Sequence, residues 1–106
     1  MVKGAFGGTH SCKISWTGAC EQTITGLKPN TMYTLTGWGK VTSGDSGYIG
    51  VKNYGGTELR AVVNTNMYTG QTITFTTGAA NTSALIYIYN NSGTTYGEDF
   101  YVSEFH

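Results

Sequence analysis

Charge is scarce in this 106-residue chain: six basic and six acidic side chains cancel to a formal net charge of zero. A surface with no excess of positive charge cannot neutralise a phosphate backbone, so nucleic acid is excluded as a partner. An anionic membrane surface gains nothing from it either. No apolar run approaches the roughly 20 residues that span a bilayer as a helix. No signal peptide is expected ahead of Lys3. Met1-Val2 and Phe105-His106 read as additions from cloning, which leaves a module excised from a larger secreted protein. Cysteine is limited to Cys12 and Cys20, and without a second Cys pair a zinc knuckle is not expected. A disulfide, free thiols and a metal all stay open for this pair. Two strands joined by a short turn would set the cysteines opposite each other, and a disulfide would indicate secretion. Nucleophile-elbow, phosphate-loop and His-Glu-x-x-His patterns are absent.

Helical patterning is also missing. Every window with apolar residues at 3.6-residue spacing is interrupted by a Gly cluster or a Thr-rich run. What the chain does have is threonine throughout, 16 Gly, 8 Tyr and a single Pro, the composition of a turn-rich all-β domain. At this length one domain over residues 1–106 is expected. Strand-like runs fall at Lys13–Trp16, Glu21–Thr25, Met32–Thr42, Gly47–Tyr54, Glu58–Asn64, Gln71–Thr77, Ala84–Asn90 and Asp99–Phe105, separated by Gly-, Asn- and Ser-rich turns. Eight antiparallel strands at this spacing predict a jelly-roll β-sandwich of two antiparallel sheets.

Alternation assigns the faces, because successive strand side chains point to opposite sides. The stretch Met32–Asn53 reads as two strands joined by a Ser-Gly-Asp-Ser-Gly turn. Tyr33, Leu35, Gly37, Gly39, Val41, Ile49 and Val51 make one small and apolar face, suited to a core. Trp38, Lys40, Tyr48 and Lys52 lie on the other. In the seventh run Ala84, Ile86 and Ile88 oppose Leu85, Tyr87 and Tyr89. Trp16 shares a face with Ile14 and reads as core. His10 and His106 are isolated.

The expected binding surface is therefore a sheet face bearing Trp38, Tyr48, Tyr54, Tyr87 and Tyr89, with Lys40 and Lys52 among the rings and Arg60, Glu58 and Asn90-Asn91 near the edges. Ring faces stack on the C–H side of a sugar, and amines, guanidinium and amides meet its hydroxyls. The competing reading is that the rings pack beneath loops or against a second sheet and that the charges merely solubilise. Glu98-Asp99 cannot be a glycosidase pair, since adjacent strand residues diverge whereas that chemistry needs two converging carboxylates. Glu21, Asp45, Glu58 and Glu104 lie in separate elements with no visible pairing.

The runs QTITGLKPNTMYTLTGWGKV, GYIGVKNYGG, TITFTTGAANTSALIYIYN and YGEDFYVSE together resemble the galactose-binding-like jelly rolls grouped as carbohydrate-binding module families four, nine, sixteen and twenty-two. The resemblance covers about Glu21–Glu104. It implies a non-catalytic module that binds a polysaccharide of β-glucan, xylan or mannan type and targets the catalytic domain of a secreted glycan-degrading enzyme to it. It also implies a structural calcium near the termini, with Asp99 at the position of the late ligand. Gly7 stands where the early acidic ligand would be, and against the family pattern the part between Phe6 and Lys13 is compressed, so that an early strand is expected to be shortened or lost. Two other functions stay in view: a structural or protein-interaction spacer of an extracellular enzyme, and a small polysaccharide lyase or hydrolase.

Overall fold

The structure is a computed structural model. It describes the backbone of residues 3–15, 18–42 and 46–104, and the side chains of residues 20–42, 46–91, 93–97, 100 and 102–104. Among the described residues none is helical. Eight strands follow in order: β1 Lys3–Ser15, β2 Gly18–Thr25, β3 Met32–Val41, β4 Ser46–Lys52, β5 Leu59–Val63, β6 Thr69–Thr76, β7 Ser83–Ser92 and β8 Thr94–Glu104. They form two four-stranded sheets, β1-β8-β3-β6 and β2-β7-β4-β5, in which all neighbours run antiparallel. This is the expected jelly-roll sandwich.

The inner faces follow the alternation in the sequence. On β3, Tyr33, Leu35 and Val41 are buried, and Ile49 and Val51 on β4, Ile73 and Phe75 on β6, and Ala84, Ile86 and Ile88 on β7 join them in one core. Each fully buried Leu, Ile or Val in such a core contributes about 1.5–3 kcal/mol relative to exposure. Rings fill the space between the layers: Tyr33 stacks on Phe75 at 5.9 Å between centroids, and Tyr54 meets the same Phe75 at 5.0 Å.

Three expectations need correction. The segment Met32–Asn53 is not a hairpin: β3 hydrogen-bonds to β6 and β8, while β4 hydrogen-bonds to β5 and β7 in the opposite sheet. The two apolar faces look at each other across the core instead of lying side by side, and both arrangements satisfy the same alternation. The outward residues of β3, Trp38 and Lys40, therefore lie on the far side of the sandwich from those of β4. Second, β1 is long, and pairs with β8 along its length through two register shifts. Its Gly-, Thr- and Ser-rich sequence hides the period. Third, β1 and β2 do not pair with each other. Cys12 lies opposite Gly97 and Cys20 opposite Ile88, in different sheets, and the Cys20 thiol is free. The side chains of Cys12, His10 and Asp99, and residues Trp16 and His106, lie outside the described residues.

Among the described residues the buried Gln22 Oε1 has no hydrogen-bond partner, whereas Thr77, Asn90 and Thr95 are hydrogen-bonded. Thr77, 2% exposed, ties the Pro29 connection to β6: its hydroxyl donates to the Lys28 carbonyl and accepts from the Thr31 N–H at 3.0 Å. Asn90 and Thr95 are both fully buried at the β7–β8 turn. Thr95 Oγ1 donates to Asn90 Oδ1 at 2.8 Å, and Asn90 Nδ2 donates to the Gly93 carbonyl at 2.8 Å. Replacing Thr95 by Val keeps the shape and removes the donor. Thr95→Val is expected to lower stability by about 1–3 kcal/mol in urea unfolding, with an unchanged m-value.

Candidate functional site

The outer face of the β2-β7-β4-β5 sheet is organised in rows that run across the strands. Ala19, Tyr89, Tyr48 and Val62 are successive cross-strand partners. The next outward row is Glu21, Tyr87, Gly50 and Arg60. Beyond it lie Leu85 and Lys52, again directly paired. An apolar row of rings thus runs beside a row with an acid at one end and a base at the other.

Gly50 decides the shape of the middle row. A Cβ at this position would lie 2.3 Å from Tyr87 Cζ and 2.4 Å from its hydroxyl oxygen. The Tyr87 ring therefore lies over the β4 backbone in the space that a side chain would fill, and is only 6% exposed. Its hydroxyl donates to Glu58 Oε2, which pins the ring in place. Tyr48 and Tyr89 stack at 6.2 Å with 19° between their planes. The Arg60 guanidinium carbon lies 4.4 Å from the Tyr48 centroid and Lys52 Nζ lies 5.6 Å from that of Tyr87. Such cation–ring contacts contribute about 0.5–1 kcal/mol when partly solvated. Lys52 also faces Glu21 at 3.8 Å, both half-exposed. Asn91 Nδ2 donates to Ser46 Oγ at 3.1 Å.

Together Glu21, Tyr48, Lys52, Glu58, Arg60, Tyr87, Tyr89 and Asn91 line an open pocket of about 350 Å³. Two acids and two bases make it dipolar but neutral overall. Its hydrogen-bonding groups flank ring faces, which is the chemistry a pyranose presents: C–H groups above and below, hydroxyls around the rim.

Of the residues singled out in the sequence, Tyr48, Lys52, Arg60, Tyr87 and Tyr89 are brought together here, with Glu58 and Asn91 beside them. Three are not. Trp38 and Lys40 lie on the outer face of the other sheet, because β3 belongs to it. Tyr54 is in the core, 4% exposed. β4 ends at Lys52 and Asn53 adopts φ 59°, which breaks the alternation and turns the next side chain inward. The Tyr54 hydroxyl is taken up by the Thr57 carbonyl. Glu21 was missed as a site residue. Its partner Lys52 lies on β4, and only the order β2-β7-β4 brings the two together.

The side chain of Asp99, the expected calcium ligand, lies outside the described residues. β1, the strand beside it, carries no Asp or Glu, and among the described residues no three His, Cys, Asp or Glu side chains group as a metal site.

Burial, followed by the hydrogen bond and charge of Glu58, raises the Tyr87 pKa far above its ordinary value, against a smaller lowering by Arg60. Burial alone raises that of Tyr54. Unfolded tyrosine loses its proton near pH 10 while these folded ones keep theirs. The stability they contribute is therefore complete below about pH 10 and is lost as pH climbs through the folded values. Chemical unfolding measured from about pH 9 to 11 should show a falling midpoint. The fall should be shallower in Tyr87→Phe, which itself costs about 1 kcal/mol at neutral pH by losing the Glu58 hydrogen bond.

No protein-family model matches the chain. A stretch of 86 residues, 79% of the chain, is 52% identical to a keratan-sulfate endo-1,4-beta-galactosidase from Sphingobacterium multivorum. The chain spans only 20% of that enzyme's length. Among solved structures, a family 16 carbohydrate-binding module superposes with a TM-score of 0.64 at 24% identity, covering 91% of this chain and 77% of the other. A family 61 module in complex with β-1,4-galactotriose superposes with a TM-score of 0.63 at 16% identity, covering 92% and 70%. The chain has the jelly-roll fold of carbohydrate-binding modules.

Proposed function

We propose that the chain is a non-catalytic glycan-binding module that lays a β-linked polysaccharide across the outer face of the β2-β7-β4-β5 sheet and holds an appended, secreted glycan-degrading enzyme at its substrate. The observation that carries this reading is the stacked Tyr48–Tyr89 pair, flanked in one pocket by Glu21, Lys52, Glu58 and Arg60. The rings supply area at low entropic cost and the ion-bearing rim orients hydroxyls. Net affinity for one site should be weak, since sugar hydroxyls exchange water hydrogen bonds for protein ones. Tethering converts that weak affinity into a high local substrate concentration for the enzyme.

Galactose-containing β-linked glycans are the first candidates, ahead of β-glucan, xylan or mannan. The 52% identical relative is named for endo-1,4-β-galactosidase action on keratan sulfate, and one structural neighbour holds β-1,4-galactotriose. A non-catalytic role is supported by the placement of the pocket's carboxylates. Glu21 is on β2, and Glu58 immediately precedes β5, three strands away. Each also has a partner already, Lys52 for Glu21 and the Tyr87 hydroxyl for Glu58.

Affinity electrophoresis against keratan sulfate, β-1,4-galactan, β-glucan, xylan and glucomannan tests the proposal. One of the galactose polymers should retard the protein, and Tyr48→Ala/Tyr89→Ala should weaken that retardation roughly 10-fold or more, the loss of at least ~1.4 kcal/mol of stacking. Retardation unaffected by the double substitution, or release of reducing ends by the pure chain, would contradict it.

A further inference from the structure

Trp38, unabsorbed by the pocket, has an arrangement of its own. It stands opposite Gly70 across β3 and β6. A Cβ on Gly70 would lie 3.1 Å from Trp38 Nε1 and 3.6 Å from both Cδ1 and Cε2. The indole thus covers the position of the missing side chain, as Tyr87 covers Gly50 on the other sheet. Shielding a strand glycine with a ring is a known structural device, and by itself it carries no function. Its surroundings go further. Lys40, next outward on β3, holds its ammonium 4.8 Å from the Tyr68 centroid and 5.1 Å from that of Tyr96. It makes no ion pair with a described side chain. Tyr68 is 42% exposed, and Thr72, one outward step beyond Gly70, presents its hydroxyl to solvent.

We propose that this cluster is a second glycan contact, on the face opposite the pocket, in which a pyranose of a β-linked glycan stacks on Trp38 while its hydroxyls meet Lys40 and Thr72. The ingredients are those of the first site: a ring laid over a glycine, a cation held among tyrosines, and hydroxyl-bearing neighbours. The two contacts lie on outer faces of different sheets, so one ring or one short oligosaccharide cannot reach both. The module is then bivalent and bridges two glycan chains, or two segments of one, and gains avidity from weak single contacts.

The test is a titration of the assigned protein with β-1,4-galactotetraose, followed by the amide and indole N–H resonances, on wild type, Trp38→Ala, Trp38→Phe and Tyr48→Ala/Tyr89→Ala. The expected result is two sites per chain. The Trp38 indole resonance should still move in the Tyr48/Tyr89 variant, and the Arg60 region should still move in both Trp38 variants. Trp38→Ala should reduce the count from two to one, and Trp38→Phe should restore part of it. If the Trp38 resonance stays still at saturation, or moves only when the tyrosine pocket is intact, there is one site and the second contact is overturned while the pocket stands. Shifts confined to the Trp38 face would instead overturn the pocket. A galactoside that moves neither set would overturn both. A chain found dimeric through the Trp38 face in sedimentation would also overturn the proposal, since the occupant would be a second copy.

Discussion

Tyr33, Leu35 and Val41 on one sheet and Ile49, Val51 and Ile86 on the other share a core from which solvent is almost wholly excluded. That face-to-face packing sends the chain from β3 in one sheet to β4 in the other instead of turning it back as a hairpin. It consumes one side of each sheet and leaves the other side of each to water. With so few charges available to cover two outer faces, rings, hydroxyls and glycines decide what those faces look like. The ring-bearing outer surfaces of both sheets follow from this division.

On both outer faces a ring from one strand lies over a glycine of its neighbour: Tyr87 over Gly50, Trp38 over Gly70. A strand glycine exposes its backbone and weakens the sheet locally. A ring laid over it restores packing and also presents a flat aromatic surface. Around Tyr87 the arrangement is held from several sides, by Glu58 at the hydroxyl and by Lys52 above the ring. The Tyr48–Tyr89 pair beside it is capped by Arg60. Acids and bases are matched within the pocket, so it offers directed hydrogen bonds and exerts no large net field.

The face of each side chain was legible in the sequence wherever a strand kept its period. Leu35 and Val41 against Trp38 and Lys40, Ile73 and Phe75 against Thr72 and Thr74, and Ile86 and Ile88 against Tyr87 and Tyr89 all fall as the alternation says. Which strands share a sheet was not legible, because two apolar faces satisfy the same pattern whether they lie side by side or look at each other. That ambiguity put Trp38 and Lys40 with Tyr48 when a core separates them. Tyr54 was misplaced by a single residue, Asn53, whose left-handed backbone reverses the phase. Glu21 was invisible as a site residue because its contact with Lys52 depends on a strand order that no local pattern encodes. β1 was hidden for the opposite reason: too few large side chains to show any period at all.

The most direct measurement is a crystal structure of the chain soaked with a β-1,4-linked galacto-oligosaccharide. The expected result is a sugar stacked on the Tyr48–Tyr89 pair, running across β7 and β4 with hydroxyls bonded to Arg60 and to Glu21 or Lys52. Sugar bound only at the connecting loops, with that sheet face bare at saturating ligand, would contradict it.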